Sequence, residues 1–212
     1  MSSIWDERAE AYRTSNEHRE GPDLDLLVEW AAGARTALDV ATGGGHVARG
    51  LREAGLEVVS CDAAPGMRPD VVCRAEDLPF ADASFDVVTS RLGAHHFDDV
   101  EAAVQEMARV ARERVLVVDN VYAGEAVEEA DHVRDPSHVR KYSEDEWRAL
   151  FADAGLRITD VRHLDRAIRV TPWLERTGCV GADAERVREL LADRIEADTI
   201  RIERIALSGS KA

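Results

Sequence analysis

Over residues 1–120, short unbroken apolar runs alternate with stretches whose apolar positions recur at helical spacing. The runs Thr36–Val40 (TALDV), Glu57–Ser60 (EVVS), Val71–Cys73, Phe85–Ser90 (FDVVTS) and Val115–Asp119 (VLVVD) predict strands. Between them, Val47–Ala54, closed by Gly55, and Asp99–Ala111 predict helices. Two further helices precede the first strand: Ile4–Arg13, and Leu24–Ala32, which follows Gly21-Pro22-Asp23 and ends at Gly33. β-Branched runs that do not alternate, separated by helices, are the mark of a parallel sheet covered on both faces. The chain therefore predicts an α/β doubly wound domain.

Beyond residue 120 the pattern changes. Gly124–Val133 and Ser143–Ala154 predict helices, the second opened by a capping box of Ser143 and Glu146. A run at Ile158–Leu164, a helix over Ala184–Asp193 and a last strand at Thr199–Leu207 complete the chain. The last strand, TIRIERIAL, alternates like a half-exposed one, which predicts an antiparallel strand near one edge of the sheet.

Composition narrows the partners. The 212 residues carry 27 basic and 42 acidic side chains, a net charge of −15. That weighs against nucleic-acid phosphates and anionic membranes, both of which reward Lys and Arg. No apolar run is long enough to span a bilayer, and the N-terminus, MSSIWDERAEAYR, lacks the apolar stretch of a signal peptide. A cytoplasmic protein is the expectation. Cys61, Cys73 and Cys179 are too few and scattered for a disulfide framework or a zinc site, and the sequence predicts no metal.

Candidate chemistry centres on LDVATGGGHVARGL, residues 38–51. A strand ends at Val40, glycines fill 43–45, and a helix begins near His46. Glycines let the backbone approach a ligand, and the helix start adds amide donors. Gly43, Gly45 and Ala48, with Asp62 beyond, also fit the GxGxxA form of a dinucleotide fingerprint. Asp39 argues otherwise. It lies inside the strand, where such proteins usually carry an apolar residue, and a buried acid is costly unless it serves a cationic group.

Three stretches, LDVATGGGHVA, VVSCDAAPGM and AEDLPFADASFDVVTSRLGAHHFDD, resemble the class I S-adenosylmethionine-dependent methyltransferases of the ubiquinone/menaquinone-biosynthesis type, the methyltransferase-11 group. The segment RDPSHVRKYSEDEW followed by AGL is similar to a subgroup of small bacterial members. The resemblance implies a Rossmann-like, mostly parallel seven-stranded sheet with an antiparallel C-terminal strand. It implies one domain over 1–212: a helical cover at 1–32, a cofactor-binding core at 33–120, a lid and helix at 121–157, and C-terminal strands and helix at 158–212. The implied activity is methyl transfer from S-adenosyl-L-methionine to a small-molecule acceptor; a non-catalytic binding or interaction protein of the same fold is the alternative.

By the same resemblance, Asp39, Ala41, Gly43 and Gly45 would cradle the methionine portion, Asp62 would take the ribose, and Ala63 and Met67 would flank the adenine. Ala75 and Glu76 would reach the adenine edge, and Arg91 would line the methyl-transfer end. Tyr12 and His18 would close over the cofactor. For the acceptor side, His95 is the candidate base, because it follows the fourth strand at the carboxyl edge of the sheet and histidine titrates near neutral pH; His96 is expected to be structural. His138, Arg134 and Arg140 are candidate contacts to an anionic acceptor, and Trp5 and Trp173 could line an apolar pocket.

Two departures from the family pattern stand out. Arg74 occupies a position where relatives often carry aspartate. Only eight residues, Ala63 to Asp70, separate the second strand from the third, where a parallel crossover normally needs about a dozen. The second crossover helix is therefore expected to be missing or cut to one turn, its sheet face covered by a second copy in a homodimer or by the C-terminal helices.

Overall fold

The computed structural model of the chain describes residues 4–14 and 19–211. Helices α1 (Ile4–Thr14) and α2 (Pro22–Trp30) precede an alternating core: β1 (Thr36–Val40), α3 (His46–Glu53), β2 (Glu57–Asp62), β3 (Val71–Val72), β4 (Phe85–Arg91), α4 (Val100–Val110) and β5 (Ala111–Asn120). There follow α5 (Glu125–Arg134), α6 (Glu144–Asp153), β6 (Leu156–Arg169), α7 (Val170–Glu175), α8 (Ala182–Leu190), β7 (Ile195–Glu196) and β8 (Thr199–Lys211). Seven strands lie in the order β3-β2-β1-β4-β5-β8-β6, and β7 pairs with β8 alone. The pairs from β3 through β5 are parallel, and β8 runs antiparallel to both neighbours. The doubly wound class and its antiparallel strand are as expected.

Successive residues of each central strand feed opposite cores, as a period of two requires. Ala37, Val87, Leu116, Val118 and Ala206 pack under Leu24 and Leu27 of α2 and Val47 and Leu51 of α3. Leu38, Val88, Val117 and Leu207 face the other way, onto Val104 and Met107 of α4 and Trp147 and Phe151 of α6. Ser143 caps α6 with the reciprocal Glu146 bond of the predicted capping box.

The crossover from β2 to β3 is a single 3₁₀ turn at Pro65–Met67, as its length required. Within the chain, α1 rather than the C-terminal helices seats on this turn. Asp6 Oδ1 accepts from the Gly66 amide at 2.6 Å, Arg13 donates to the Gly66 carbonyl at 2.5 Å, and Ala9 packs with Ala64 and Met67.

The last strand lies near one edge as expected and departs from expectation only in length. β8 sits second from the edge with β6 outside it, and both run further than the alternating pattern suggested. β5 pairs with β8 only as far as Asn120 opposite Arg204, whereas β6 continues to Arg169 opposite Thr199. The β6–β8 hairpin thus rises past the carboxyl edge of the sheet. Its alternating half is this overhang, and the half within the sheet, 204–209, is buried on both faces. On the overhang, Ile168 and Ile200 pack with Trp173, Leu174 and Val187 of α7 and α8 and Ala130 of α5, a separate apolar cluster above the sheet.

Candidate active site

A cavity of about 560 Å³ opens at the carboxyl edge of the parallel strands, between the glycine loop and the overhanging hairpin. This is where ligands bind in doubly wound folds, and the size falls within the usual range of about 300–1,000 Å³ for ligand sites.

Asp39 anchors the glycine loop from below. Its Oδ2 accepts from the Thr42 hydroxyl at 2.6 Å and the Ala48 amide at 3.1 Å, and its Oδ1 from the Thr89 hydroxyl at 3.0 Å. Burial pushes its carboxyl up to about 6 even against those bonds. Above it the chain turns through left-handed conformations at Ala41 (φ 54°), Gly43 (φ 50°) and Gly45 (φ 73°). Ala41 carries a Cβ in this region, and Leu92 after β4 does the same at φ 56°; such strain is concentrated at functional sites. Gly93 lets the two loops meet, since a Cβ there would lie 2.8 Å from that of Ala41.

Asp62 ends β2 beside this loop. Its Oδ2 accepts from the Gly43 amide and its Oδ1 from the Ala64 amide, both at 2.9 Å. Burial holds its carboxyl above the ordinary range. A carboxylate has about four lone-pair sites, so these two bonds leave room for two hydroxyl donors. Ala63, Met67 and Ala75 line the same end of the cavity. Glu76 also lines it, but its Oε1 accepts from the Asp98 amide at 3.0 Å. Arg74, the unusual residue, bridges Asp98 at 2.5 Å and Glu76 at 3.3 Å, clasping the rim of the pocket.

His95 and His96 form a 3₁₀ turn after β4 and do different things. His95 Nδ1 lies 2.5 Å from Asp119 Oδ1, and the His95 amide donates to Asp119 Oδ2 at 3.0 Å. Burial raises the Asp119 carboxyl, but attraction to the His95 ring and hydrogen bonds from His95 and the Asn120 amide win and hold it below its ordinary value. An ionised partner at Nδ1 assigns the proton to that nitrogen and leaves Nε2 as the lone-pair nitrogen. His96 donates Nδ1–H to the Ser137 carbonyl at 2.9 Å and packs edge-on against Trp5. Burial first, then the neighbouring His95, push it down to about 3, so it stays neutral.

The segment after β5 brings in His138 and Arg134 but not Arg140. His138 Nε2 bonds Glu128 at 3.1 Å, and Arg134 stacks on the Trp173 ring at 4.4 Å; all but Glu128 line the cavity. Arg140 instead pairs with Glu146 and lies over Tyr142, outside the lining. Its place is taken by Arg176 and Arg204, which sequence reasoning missed along with Asp119 and Asp23. Arg91 lines the cavity as expected, bound to the buried Asp23 at 2.7 Å. Gly45 caps α3 behind the lining, and the Tyr12 side chain and His18 lie outside the described residues.

Residues 38–118 match the family described as "Methyltransferase domain". The chain is 35% identical over 208 residues to the uncharacterized methyltransferase YcgJ of Bacillus subtilis, covering 86% of this chain and 81% of that protein. The crystal structure of YcgJ superimposes with a TM-score of 0.82 over 89% of this chain and 97% of the other, at 28% identity. Demethylmenaquinone methyltransferase of Beutenbergia cavernae is 42% identical over 95 residues, spanning 39% of this chain and 40% of that enzyme. The shared strand order, the glycine loop with its paired acids and the whole-chain likeness to YcgJ converge on one conclusion: this chain belongs to the class I S-adenosylmethionine-dependent methyltransferases.

Proposed function

We propose that this enzyme holds S-adenosyl-L-methionine between the glycine loop and Asp62 and methylates a small-molecule acceptor beside His95. The observation that carries the reading is Asp62, whose carboxylate is fixed by the Gly43 and Ala64 amides with its remaining lone pairs available for ribose hydroxyls. The cofactor, when bound, supplies an electrophilic methyl group on a sulfonium. The ionised Asp39 and Asp62 favour that cationic molecule at their end of the cavity.

His95 takes the acceptor's proton where one must be lost. Asp119 fixes the tautomer that leaves Nε2 basic and stabilises the imidazolium formed. The apolar overhang and α1 shield the site from water. The alternative of a non-catalytic relative drew on the shortened crossover and Arg74. Both features are accommodated here, by the seating of α1 and by the Arg74 clasp.

Calorimetric titration tests the reading. S-Adenosylmethionine and S-adenosylhomocysteine should bind the native protein with micromolar affinity, about −8 kcal/mol. Asp62→Ala should lose about ten- to hundredfold, as expected for hydrogen bonds to a charged group. A folded native protein that binds neither molecule would sink the proposal.

A further inference from the structure

Three guanidinium groups converge on one buried carboxylate beneath the lid. Asp23 Oδ2 accepts from Arg91 Nε at 2.7 Å and from Arg204 Nη1 at 2.8 Å, and Arg166 reaches within 3.9 Å of Oδ1. Asp23 and Arg204 are 1% and 7% exposed, so their ion pair is held largely away from water. A buried guanidinium donor with no acceptor is expensive, and it is retained where a ligand of opposite sign completes it. Neither Nε nor Nη2 of Arg204 donates to an acceptor among the described residues, yet its side chain lines the cavity. Burial, and then the neighbouring Arg91 and Arg166, push the Arg204 guanidinium down to about 10, the direction expected of a cation short of anions.

The register of the hairpin says what stands next to it. Ile202 and Arg204 are two residues apart on β8 and share a face; across the pair, Arg166 opposes Ile202 and Ile168 opposes Ile200 on that same face. Ile168, Ile202 and Trp173 all line the cavity. The wall of the overhang is therefore apolar above and cationic where it meets the sheet. The carboxylates that line the cavity, Asp39, Asp62, Glu76 and Asp98, lie on β1, at the end of β2 and in the segments before and after β4, and none of them is on the hairpin. In a chain of net charge −15, this segregation separates a site for a cation from a site for an anion.

We infer that the acceptor is an apolar molecule bearing an anionic group, with its apolar body against Ile168, Ile202 and Trp173 and its anion on Arg204. The inference rests on the methyltransferase reading for the word acceptor, and on the hairpin alone for the binding chemistry. Octanoate and octan-1-ol, which share an apolar chain and differ in charge, serve as probes in calorimetric titrations with S-adenosylhomocysteine present and absent. The native protein should bind octanoate about tenfold more tightly than the alcohol. Arg204→Met, which leaves Asp23 paired with Arg91, should erase that preference while keeping octanol affinity, and Arg204→Lys should restore part of it. Circular dichroism establishes that each variant is folded.

Equal binding of the two probes by the native protein would overturn the inference. So would an Arg204→Met variant that keeps the octanoate preference and instead loses S-adenosylhomocysteine, because the guanidinium would then serve the cofactor's own carboxylate. Absence of S-adenosylhomocysteine binding alongside an intact octanoate preference would instead count against the cofactor site and leave the anion subsite standing.

Discussion

A histidine becomes a directed base only when something fixes its proton, and Asp119 does this for His95 through two bonds, one to the ring and one to the backbone amide. Asp119→Asn would keep the shape but offer Nδ1 an amide that can donate, which favours the wrong tautomer. For an acceptor that must lose a proton, this variant and His95→Gln should each lower kcat by about 10²–10⁴, with the dissociation constant of S-adenosylmethionine unchanged. Transfer of a labelled methyl group, beside calorimetry, separates the two quantities; a loss confined to cofactor affinity would deny His95 its role. Asp39 makes a second residue-scale prediction. Its carboxyl rises to about 6 in the folded chain from an ordinary 3.8. The folded state then binds the proton more tightly than the unfolded state. That contribution to stability is fully present below 3.8 and is lost as pH rises through about 6. Asp39→Asn removes the titration, so its stability relative to the native protein should improve by about 1–2 kcal/mol between pH 5 and pH 7.5. Urea unfolding at the two values measures it, and a difference independent of pH would show that Asp39 titrates normally.

Elements differ in how plainly the sequence announces them. β1 was readable to its last residue because TALDV is buried on both faces and bounded by Gly33 and the glycine loop. β6 was not, since LRITDVRHLDRAIR is an edge strand with polar residues facing solvent, and part of it overhangs the sheet. The end of β8 was also lost: SGS after Leu207 reads as a polar tail, yet Ser208 to Ser210 are paired with β5 and β6. The small residue there has a packing reason. A Cβ at Gly209 would lie 2.6 Å from the Phe151 ring and 3.3 Å from the Leu156 Cβ. Gly209→Ala should therefore cost about 1–3 kcal/mol in urea unfolding. Combined with Phe151→Leu, it should cost less than the two single changes added together, because the smaller side chain vacates the space. Strict additivity would mean the clash is relieved elsewhere. The glycine-loop end of the candidate site was legible for the same reason as β1, its lining residues lying close to a strand end. The other end joins His95 to Asp119 and Asp23 to Arg204 across the fold, and no local spacing signals pairs so far apart. Arg140 misled because proximity to His138 in sequence says nothing of which side of the segment a guanidinium takes.

At the scale of the whole molecule, α1 ties the crossover turn to the segment around Asp135. One side of it seats on the shortened crossover through Asp6 and Arg13. Another reaches across to the far side of the cavity, where Arg8 donates to Asp135 at 2.8 Å and to the Thr177 carbonyl at 2.7 Å. Burial alone would raise the Asp135 carboxyl, but hydrogen bonds from Ser137 and Arg8 hold it far below its ordinary value, so the tether stays ionised across the working pH range. Trp5 of the same helix packs on His96, next to the candidate base. Losing a conventional crossover helix has thus made the N-terminal helix part of the site wall. Gly66→Ala tests this without touching a cavity-lining side chain. Its new Cβ would sit 2.9 Å from the Asp6 Cα and 3.3 Å from the Ala9 Cβ, which are backbone and short side chain and must move together. Hydrogen exchange should accelerate in residues 4–14 while the central strands stay protected, and S-adenosylhomocysteine affinity should fall by about tenfold, about 1.4 kcal/mol. If exchange in α1 accelerates and affinity does not change, the helix is packing for the turn and no part of the cofactor site. If neither changes, the turn yields instead of the helix, and the seat of α1 does not depend on Gly66.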